Sequence, residues 1–286
     1  MPELPEVETV ARTLRPHVQG CVIAGACLLR DSSLHPLSLR PEDLQGCTIT
    51  NVGRRGKLLL LELDAAQAAS PHVRGATGLR LAVHLRMTGR LMTYPMGTPP
   101  GAHTRCVFDL KDAQGQQRRL FFDDVRAFGL LLAGTPQTMQ QWSFWRELGP
   151  EPLELTEAAF SARLDGKNAA IKAVLLDQKV VAGVGNIYAD ESLFAAGIDP
   201  RRKAASLTAA QRSKLLTCLK DVLLLSISQC GSSIRDYRDA NGNVGAFQNS
   251  FAVYGRSGQA CRACGRALEK TKVAGRATVY CPHCQK

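Results

Sequence analysis

The chain has 286 residues, of which 45% are hydrophobic and 21% charged, so it is long enough for two modest globular domains. The longest apolar run, Val222 to Ile227, is too short to span a bilayer, and no basic stretch followed by an apolar one marks a secretory signal. The net charge of +11 favours a polyanionic partner, because binding to a polyanion releases counterions. Residues 256–286 hold seven basic side chains and one acid. We therefore expect a cytoplasmic protein with its positive charge concentrated at the C-terminal end.

The N-terminal segment MPELPEVE combines a proline at the second position with nearby carboxylic acids. Removal of Met1 would leave Pro2 with a free secondary amine, and Glu3 lies beside it. An amine next to an acid can attack an electrophilic carbon while the leaving group is protonated. On spacing alone, Pro5 or Glu6 could instead simply open a helix whose first carboxylates complement its dipole. The remainder of the chain favours the chemical interpretation.

Short β-rich runs separated by turn residues fill positions 20–133. Regular spacing with turn signals such as Asp112-Ala113-Gln114-Gly115 predicts an antiparallel β-sandwich. The predicted strands cover residues 57–63, 79–85, 106–110 and 119–122.

Helical patterns replace strand patterns after Gly134, which divides the chain into an N-terminal domain (2–133), a linker (134–151), a helical domain (152–250) and a C-terminal segment (251–286). Thr156 can cap a helix through Leu164, and another helix is expected near Asn168. A capping box at Thr208 opens a third helix, which Gly231 is expected to end. The predicted inward positions of these helices are Ile171, Val174, Leu175, Leu215, Leu219, Val222, Leu223 and Ile227.

Four of the ten cysteines form two CxxC pairs sixteen residues apart. This spacing predicts one tetrahedral zinc ion, held by four thiolates in a structural site without an open position for chemistry. The ligands are Cys261, Cys264, Cys281 and Cys284. The metal would stabilise a short hairpin, residues 271–280, that is too small to fold alone. The other six cysteines have no paired spacing and are typical of reduced, small hydrophobic residues.

Three motifs in this order resemble the formamidopyrimidine-DNA glycosylase family of bacterial base-excision enzymes. They are PELPEVET at residues 2–9, VGNIYA at residues 184–189 and the four-cysteine finger at the C-terminus. The resemblance implies an α+β fold with an N-terminal helix and β-sandwich lobe, followed by a helical lobe with a helix–two-turn–helix motif and the finger. It further implies that DNA lies between the lobes, and that residues 168–198 form the helix–two-turn–helix motif. The glycine-rich turn before Asn186 would present backbone N–H groups to a phosphate.

The resemblance also assigns the residues that fill the gap when the damaged nucleotide leaves the base stack. Met87 and Phe128 match the apolar wedges, and Arg126 matches the residue that hydrogen-bonds the orphaned base. Ala127 stands where the family usually has a basic residue. Residues 234–247 match the loop that closes over 8-oxoguanine.

Further site residues follow from the same resemblance. Lys57 should reach the lesion and assist the elimination steps, and Arg276 should take part in the second elimination. The implied phosphate contacts are His103, Lys167, Lys172, Asn186 and Arg276. Ala102 replaces a basic residue that the family usually has before His103, and Arg105 is a candidate to compensate for it.

The function implied is excision of oxidised purines, followed by strand scission through an imine formed by Pro2, in a monomer that binds double-stranded DNA and one zinc ion. Two alternatives remain open from sequence. A sister enzyme of the same fold, similar to endonuclease VIII, would act on oxidised pyrimidines; Leu4 and the long 234–247 loop favour the purine enzyme. A zinc-ribbon protein that binds DNA without catalysis would explain the charge and the finger, but not Pro2, Glu3 and Lys57.

Overall fold

The computed structural model describes residues 1–234 and 237–286. These residues form two compact units. The first unit comprises Met1–Arg146 and Cys230–Gly245, and the second comprises Glu147–Gln229 and Ala246–Lys286. The first unit therefore includes a late segment, 230–245, that sequence patterns grouped with the helices. Within the described ranges, no helix is both long enough and apolar enough to cross a membrane.

An eight-stranded sheet, in which every pair of neighbouring strands is antiparallel, dominates the first unit. The spatial order is β5-β7-β6-β1-β2-β3-β4-β8. The strands are β1 (Val22–Leu28), β2 (Thr48–Arg55), β3 (Leu58–Asp64), β4 (Leu79–His84), β5 (Gly89–Pro95), β6 (Thr104–Lys111), β7 (Gln117–Asp124) and β8 (Leu130–Gly134). All four strands predicted from sequence are present, and Asp112–Gly115 forms the turn between β6 and β7.

The sheet folds over at the junction of β1 and β2, which pair in register only at Val22 and Thr48. Strands on both sides of this junction contribute to one buried core; Phe108 and Phe122 come from one side, and Leu61 and Leu81 from the other. This arrangement confirms the predicted α+β sandwich. Each fully buried side chain of this kind contributes about 1.5–3 kcal/mol of transfer free energy.

The N-terminal helix α1 (Leu4–Val18) covers the same core. Its apolar residues recur at helical spacing, and Val7, Val10, Leu14 and Val18 are all buried there. The backbone N–H of the N-cap residue Glu3 donates to the Glu6 carboxylate at 2.9 Å. The N-terminal segment therefore does open a helix, as the alternative interpretation predicted. A helix at this position is compatible with the chemistry expected of Pro2 and Glu3.

The stretch predicted as a linker, 134–151, contains two short helices, α2 (Pro136–Gln141) and α3 (Ser143–Arg146). Trp142 and Trp145 are buried in a second apolar cluster with Leu58 and Leu132. The Pro and Gly residues that suggested a linker in fact bracket these helices, which pack on the sheet of the first unit.

Among the described residues, the α-helices of the second unit are α4 (Glu157–Leu164), α5 (Ile171–Leu176), α6 (Asn186–Ala196) and α7 (Ala209–Ser228). The predicted caps are confirmed, because the Thr156 and Thr208 hydroxyls accept from the backbone N–H groups three residues later. Three local expectations were wrong. Helix α5 begins at Ile171 rather than near Asn168, Val222 is only partly buried, and α7 ends at Ser228. The backbone already becomes left-handed at Cys230 (φ +60°), one residue before Gly231.

The C-terminal hairpin of the second unit pairs β9 (Glu269–Val273) with β10 (Arg276–Tyr280). Ala274 and Gly275 connect the strands with φ values of +48° and +73°. Positive φ at both central residues is typical of the type I′ turn, whose twist matches that of the flanking strands. This turn brings Arg276 to an exposed position at the start of β10.

Candidate active site and nucleic-acid interface

The Pro2-Glu3 pair lies at the start of α1, and both residues are buried. Glu6 holds this segment in place. One of its carboxylate oxygens accepts from the Glu3 N–H, and the other accepts from the N–H of Ser232 at 2.8 Å and from its hydroxyl at 3.1 Å. Because these donors occupy both Glu6 oxygens, Glu6 is suited to anchoring, whereas Glu3 is the acid adjacent to the prospective nucleophile. The Pro2 nitrogen becomes an amine only when the Met1–Pro2 peptide bond is cleaved.

Lys57 lies in the two-residue turn between β2 and β3, where Arg55 pairs with Leu58. Gly56 adopts φ +57° in this turn, and the Lys57 side chain is 5% exposed. Two contacts clamp β2 onto α1. The Arg54 guanidinium pairs with Glu8 at 2.9 Å, and that of Arg15 donates to the Val52 carbonyl. The helix that begins beside Pro2 and the strand that leads to Lys57 are thus joined by two polar contacts.

His84 is a buried neutral imidazole next to this turn. Burial, together with the positive charges of Arg86 and Lys57, lowers the pKa of His84 to about 3. Its Nδ1 accepts from the Arg86 N–H at 3.1 Å, so the ring proton is on Nε2. His84 is therefore uncharged at neutral pH, and it supports the turn that carries Met87.

The three predicted gap-filling side chains are exposed on the first unit. Met87 is 40% exposed and Phe128 57%, values that are high for large apolar residues in a protein with a well-packed core. The Arg126 guanidinium lies over the Phe128 ring, 4.9 Å from its centroid. Sequence spacing alone would place Met87 and Phe128 in the hydrophobic core. Their exposure shows that they are not core residues.

Asp124 links the segments that carry these side chains, and sequence analysis did not identify it. Its buried carboxylate accepts from the Thr88 hydroxyl, next to Met87, and from the backbone N–H groups of Arg126 and Gly129. A local signal was available, since an aspartate at the end of a strand often accepts from nearby backbone N–H groups. The partner across the sheet, Thr88, could not be identified from local sequence.

His103 is exposed just before β6, as a phosphate contact requires. Arg105 does not compensate for Ala102. It is 7% exposed, and its guanidinium donates twice to the Asp124 carbonyl, at 2.8 and 2.6 Å. Its charge therefore supports the Asp124 segment from inside the protein.

In the second unit, Lys167 is exposed, and Asn186 is the first residue of α6, after the N-cap Gly185. The N-terminus of this helix favours an anion, because its first backbone N–H groups point outward along the axis. The Asn186 side chain turns toward the hairpin and donates to the Ala277 carbonyl at 3.0 Å. Both residues belong to the unit that carries the finger.

Lys172 does not fit the predicted phosphate contact. Its side chain is fully buried, its ammonium is 2.7 Å from the Asp190 carboxylate, and it donates to the Thr278 hydroxyl and the Ala277 carbonyl. Two elements, α6 and β10, supply these acceptors. In this structure Lys172 links the hairpin of Arg276 to helix α6 rather than facing a ligand.

The four predicted zinc ligands converge, with all their sulfur atoms within 4.8 Å of one another. The sulfurs of Cys261 and Cys284 are 4.0 Å apart, and those of Cys264 and Cys281 are 3.5 Å apart. Tetrahedral zinc with Zn–S bonds of about 2.3 Å requires separations of about 3.8 Å. The donor set therefore fits one structural zinc ion, as predicted. Helix α6 also anchors this region, because the Glu191 carboxylate accepts from the N–H groups of residues 252–254.

The segment that matches the 8-oxoguanine loop, 234–247, contains residues 235 and 236, which lie outside the described residues. Its later part packs on α1: the Tyr237 hydroxyl donates to the Glu6 carbonyl and the Ala240 N–H to the Thr13 hydroxyl. Asp239 closes a turn by accepting from the N–H groups of Asn241 and Asn243. The described part of this loop up to Gly245 belongs to the first unit, and residues 246 and 247 belong to the second.

An N-terminal helix on a β-sandwich, a helical unit and a four-cysteine finger define a zinc-finger protein of the helix–two-turn–helix class. Family models match along the chain in the same order. Residues 1–131 match the formamidopyrimidine-DNA glycosylase N-terminal domain, residues 148–238 its H2TH domain, and residues 258–286 a zinc finger found in FPG and IleRS.

Known proteins agree with these matches over the full length. The chain is 43% identical to the formamidopyrimidine-DNA glycosylase of Nitratidesulfovibrio vulgaris and 41% identical to that of Carboxydothermus hydrogenoformans, with complete coverage of both partners in each comparison. The chain belongs to the formamidopyrimidine-DNA glycosylase family.

Solved structures show the same similarity. The MutM (FPG) protein of Thermus thermophilus superimposes with a TM-score of 0.84 and 39% identity, over 99% of this chain and 98% of that one. A Lactococcus lactis FPG mutant in complex with DNA containing Fapy-dG superimposes with a TM-score of 0.86 and 33% identity, over the whole of both chains.

Proposed function

We propose that this protein is a DNA glycosylase that removes 8-oxoguanine and formamidopyrimidines from double-stranded DNA and then cleaves the strand at the resulting abasic site. The observation that carries the proposal is the buried Pro2-Glu3 pair, anchored by Glu6, in a chain of this family. The relatives are bacterial, and one solved relative is bound to DNA containing the Fapy-dG lesion.

The chemistry starts at the Pro2 nitrogen, which attacks C1′ of the damaged nucleotide while Glu3 protonates the sugar ring oxygen or the departing base. The base leaves C1′ and the C1′–O4′ bond opens, and because Pro2 is a secondary amine the product is an imine cation that joins the protein to deoxyribose. A chain-terminal amine has a pKa of about 8, so a useful fraction is neutral near pH 7, whereas a lysine amine at about 10.4 would need a large shift. Pro2 therefore needs little assistance to act as a nucleophile.

The imine cation acidifies the adjacent sugar carbon, so the two phosphates can be eliminated in turn to leave a one-nucleotide gap. We assign Lys57 to the lesion and to the elimination steps, and Arg276 to the second elimination. His103, Lys167 and the N-terminus of α6 at Asn186 would bind phosphates. Met87, Arg126 and Phe128 would fill the space left by the extruded nucleotide.

The zinc ion would be held by Cys261, Cys264, Cys281 and Cys284 and would supply folding free energy to the finger. One chain carries every group assigned above, so we propose that the protein acts as a monomer. Because the proposed substrate is chromosomal DNA and the relatives are bacterial, we place the protein in the cytoplasm with the nucleoid.

Borohydride trapping with lesion DNA tests the nucleophile, because reduction of the imine fixes the protein to the oligonucleotide at Pro2. A cross-link mapped to another residue would refute the assignment. Glu3→Gln should lose base excision but retain DNA binding, and Glu62→Gln, which changes a partly exposed carboxylate on β3, should retain both. Full excision by Glu3→Gln would show that Glu3 is not the acid that protonates the sugar ring oxygen or the departing base.

A panel of duplexes distinguishes the competing functions. Cleavage of 8-oxoguanine duplexes in preference to thymine-glycol duplexes is expected, and the reverse preference would identify an enzyme of the endonuclease VIII type. A pure DNA-binding protein would leave every strand intact.

A further inference from the structure

Asp124 ends β7 and has no role in the chemistry described above, yet its carboxylate accepts from donors on two neighbouring segments. It is 1% exposed, so its charge is stabilised by hydrogen bonds rather than by water. One carboxylate oxygen accepts from the Thr88 hydroxyl at 2.5 Å and from the Arg126 N–H at 3.3 Å, and the other from the Gly129 N–H at 2.6 Å. The Thr88 oxygen in turn accepts from the Arg126 N–H at 3.0 Å.

The backbone of Asp124 is also held on both sides. Its N–H donates to the His103 carbonyl at 2.9 Å, and its carbonyl accepts two hydrogen bonds from the buried Arg105 guanidinium. Hydrogen bonds that involve a charged group are about twice as strong as neutral ones. Asp124 is therefore fixed in position before the segment 125–129 leaves the sheet.

The two segments that Asp124 joins both contain strained backbone. Arg86 and Ala127 have φ values of +51° and +53°, in the left-handed region that residues with a side chain rarely adopt. A Cβ on Gly129 would lie 2.6 Å from the Phe122 ring and 3.0 Å from the Asp124 carboxylate. Strained segments persist only where surrounding contacts determine their conformation. The Asp124 carboxylate supplies such contacts on either side of Ala127, and His84 accepts from the Arg86 N–H.

We propose that Asp124 is a positioning residue that, through Thr88, fixes Arg126 at the spacing needed to discriminate the base opposite the lesion. This inference rests on the proposed function. Discrimination requires the Arg126 guanidinium to be presented in one orientation, because hydrogen-bond selection among bases depends on the direction of the donors. The Asp124–Thr88 contact fixes the backbone from which the Arg126 side chain extends, because it holds the Arg126 N–H, and the guanidinium lies over the Phe128 ring. The same contact keeps Met87 in a fixed relation to Phe128.

The test uses Asp124→Asn and Thr88→Val, with Thr88→Ser as the conservative variant and Asp123→Asn as the matched control. Asp123 is the adjacent strand carboxylate, and it accepts instead from the Thr104 hydroxyl at 2.6 Å. Thr88→Val removes a single hydroxyl, so it addresses the proposal even if Asp124→Asn fails to fold. Single-turnover excision of 8-oxoguanine is measured opposite each of the four bases.

The measured quantity is the ratio of the excision rate opposite the most favourable base to the rate opposite the least favourable base. We expect Asp124→Asn and Thr88→Val to reduce this ratio by about tenfold, within the range that one directional base contact provides. Thr88→Ser and Asp123→Asn should keep the wild-type ratio. A ratio that stays at the wild-type value in Thr88→Val, even if all four rates fall together, would overturn the proposal.

Scission of a preformed abasic site in single-stranded DNA separates this inference from the proposed function. That substrate has no opposing base, so the variants should cleave it as the wild type does. A wild-type protein that cleaves neither substrate would overturn the proposed function, and the inference with it. Loss of single-stranded scission in Thr88→Val alone would also overturn the inference, because it would show that the contact supports the chemistry itself.

Discussion

Replacement of Lys172 by methionine tests whether the buried network of the second unit depends on charge pairing. Both partners of the Lys172–Asp190 pair are essentially inaccessible, with side-chain exposures of 0% and 1%, and their charged atoms are 2.7 Å apart. Methionine preserves most of the volume of lysine but leaves the Asp190 carboxylate in a site with little water. Removing one partner of a buried ion pair costs about 3–5 kcal/mol of stability, because the other charge is left uncompensated.

The pH dependence gives this prediction a specific form. Burial raises the pKa of Asp190 to about 6, although Lys172 and the Val279 N–H act to lower it. Because an unfolded aspartate has a pKa of about 3.9, this carboxyl contributes stability that is fully present below pH 4 and is lost as the pH rises through its folded pKa. In the wild type the loss is nearly complete a little above pH 6. In Lys172→Met the pKa of Asp190 rises further, so stability continues to fall as the pH approaches 8.

Urea unfolding at pH 6 and pH 8 with saturating zinc measures the effect. Both tryptophans of the chain, Trp142 and Trp145, lie in the first unit, so far-UV circular dichroism should follow the helical second unit while fluorescence follows the first. We expect the variant to lose more stability relative to wild type at pH 8 than at pH 6. The double variant Lys172→Met/Asp190→Asn should recover part of the loss at pH 8.

The matched control is Lys179→Met, the same substitution in an exposed pair. Lys179 contacts Glu147 at 2.6 Å, but its side chain is 67% exposed, and exposed pairs contribute little to stability. Lys179→Met should leave the unfolding midpoint essentially unchanged at both pH values. An equal destabilisation of Lys172→Met at pH 6 and pH 8 would refute the electrostatic explanation.

Two further predictions concern folding in the second unit. Chelation of zinc should abolish DNA binding in a mobility-shift assay, because the hairpin of Arg276 loses the ion that stabilises it, and added zinc should restore binding; undiminished affinity in the metal-free protein would contradict this. Thr156→Ala should reduce stability by about 1 kcal/mol in urea unfolding, because the Ala159 N–H loses its cap, while Thr156→Ser should be close to wild type; equal loss in both variants would argue against the cap.

Local sequence patterns were sufficient where the governing contacts are local. The spacing within each CxxC pair, the caps at Thr156 and Thr208, and the β-rich runs in 57–63 and 79–85 all depend on residues a few positions apart. The resemblance of the N-terminal segment to a known family supplied the candidate chemistry. Such short-range patterns can be identified in the sequence itself, and the structure contains the caps and strands that they predict.

Tertiary structure alone decided the partners of the charged and strained residues. Lys172 meets Thr278 across 106 positions, and Arg105 and Thr88 meet Asp124 across 19 and 36. A lysine on a short amphipathic helix has the same pattern whether it faces a phosphate or a buried carboxylate, so sequence predicted the wrong environment for Lys172. Ser232, which contacts Glu6 across 226 positions, shows why the segment 230–245 belongs to the first unit. Long-range pairing depends on how the sheet and helices pack, and short-range periodicity contains no information about that packing.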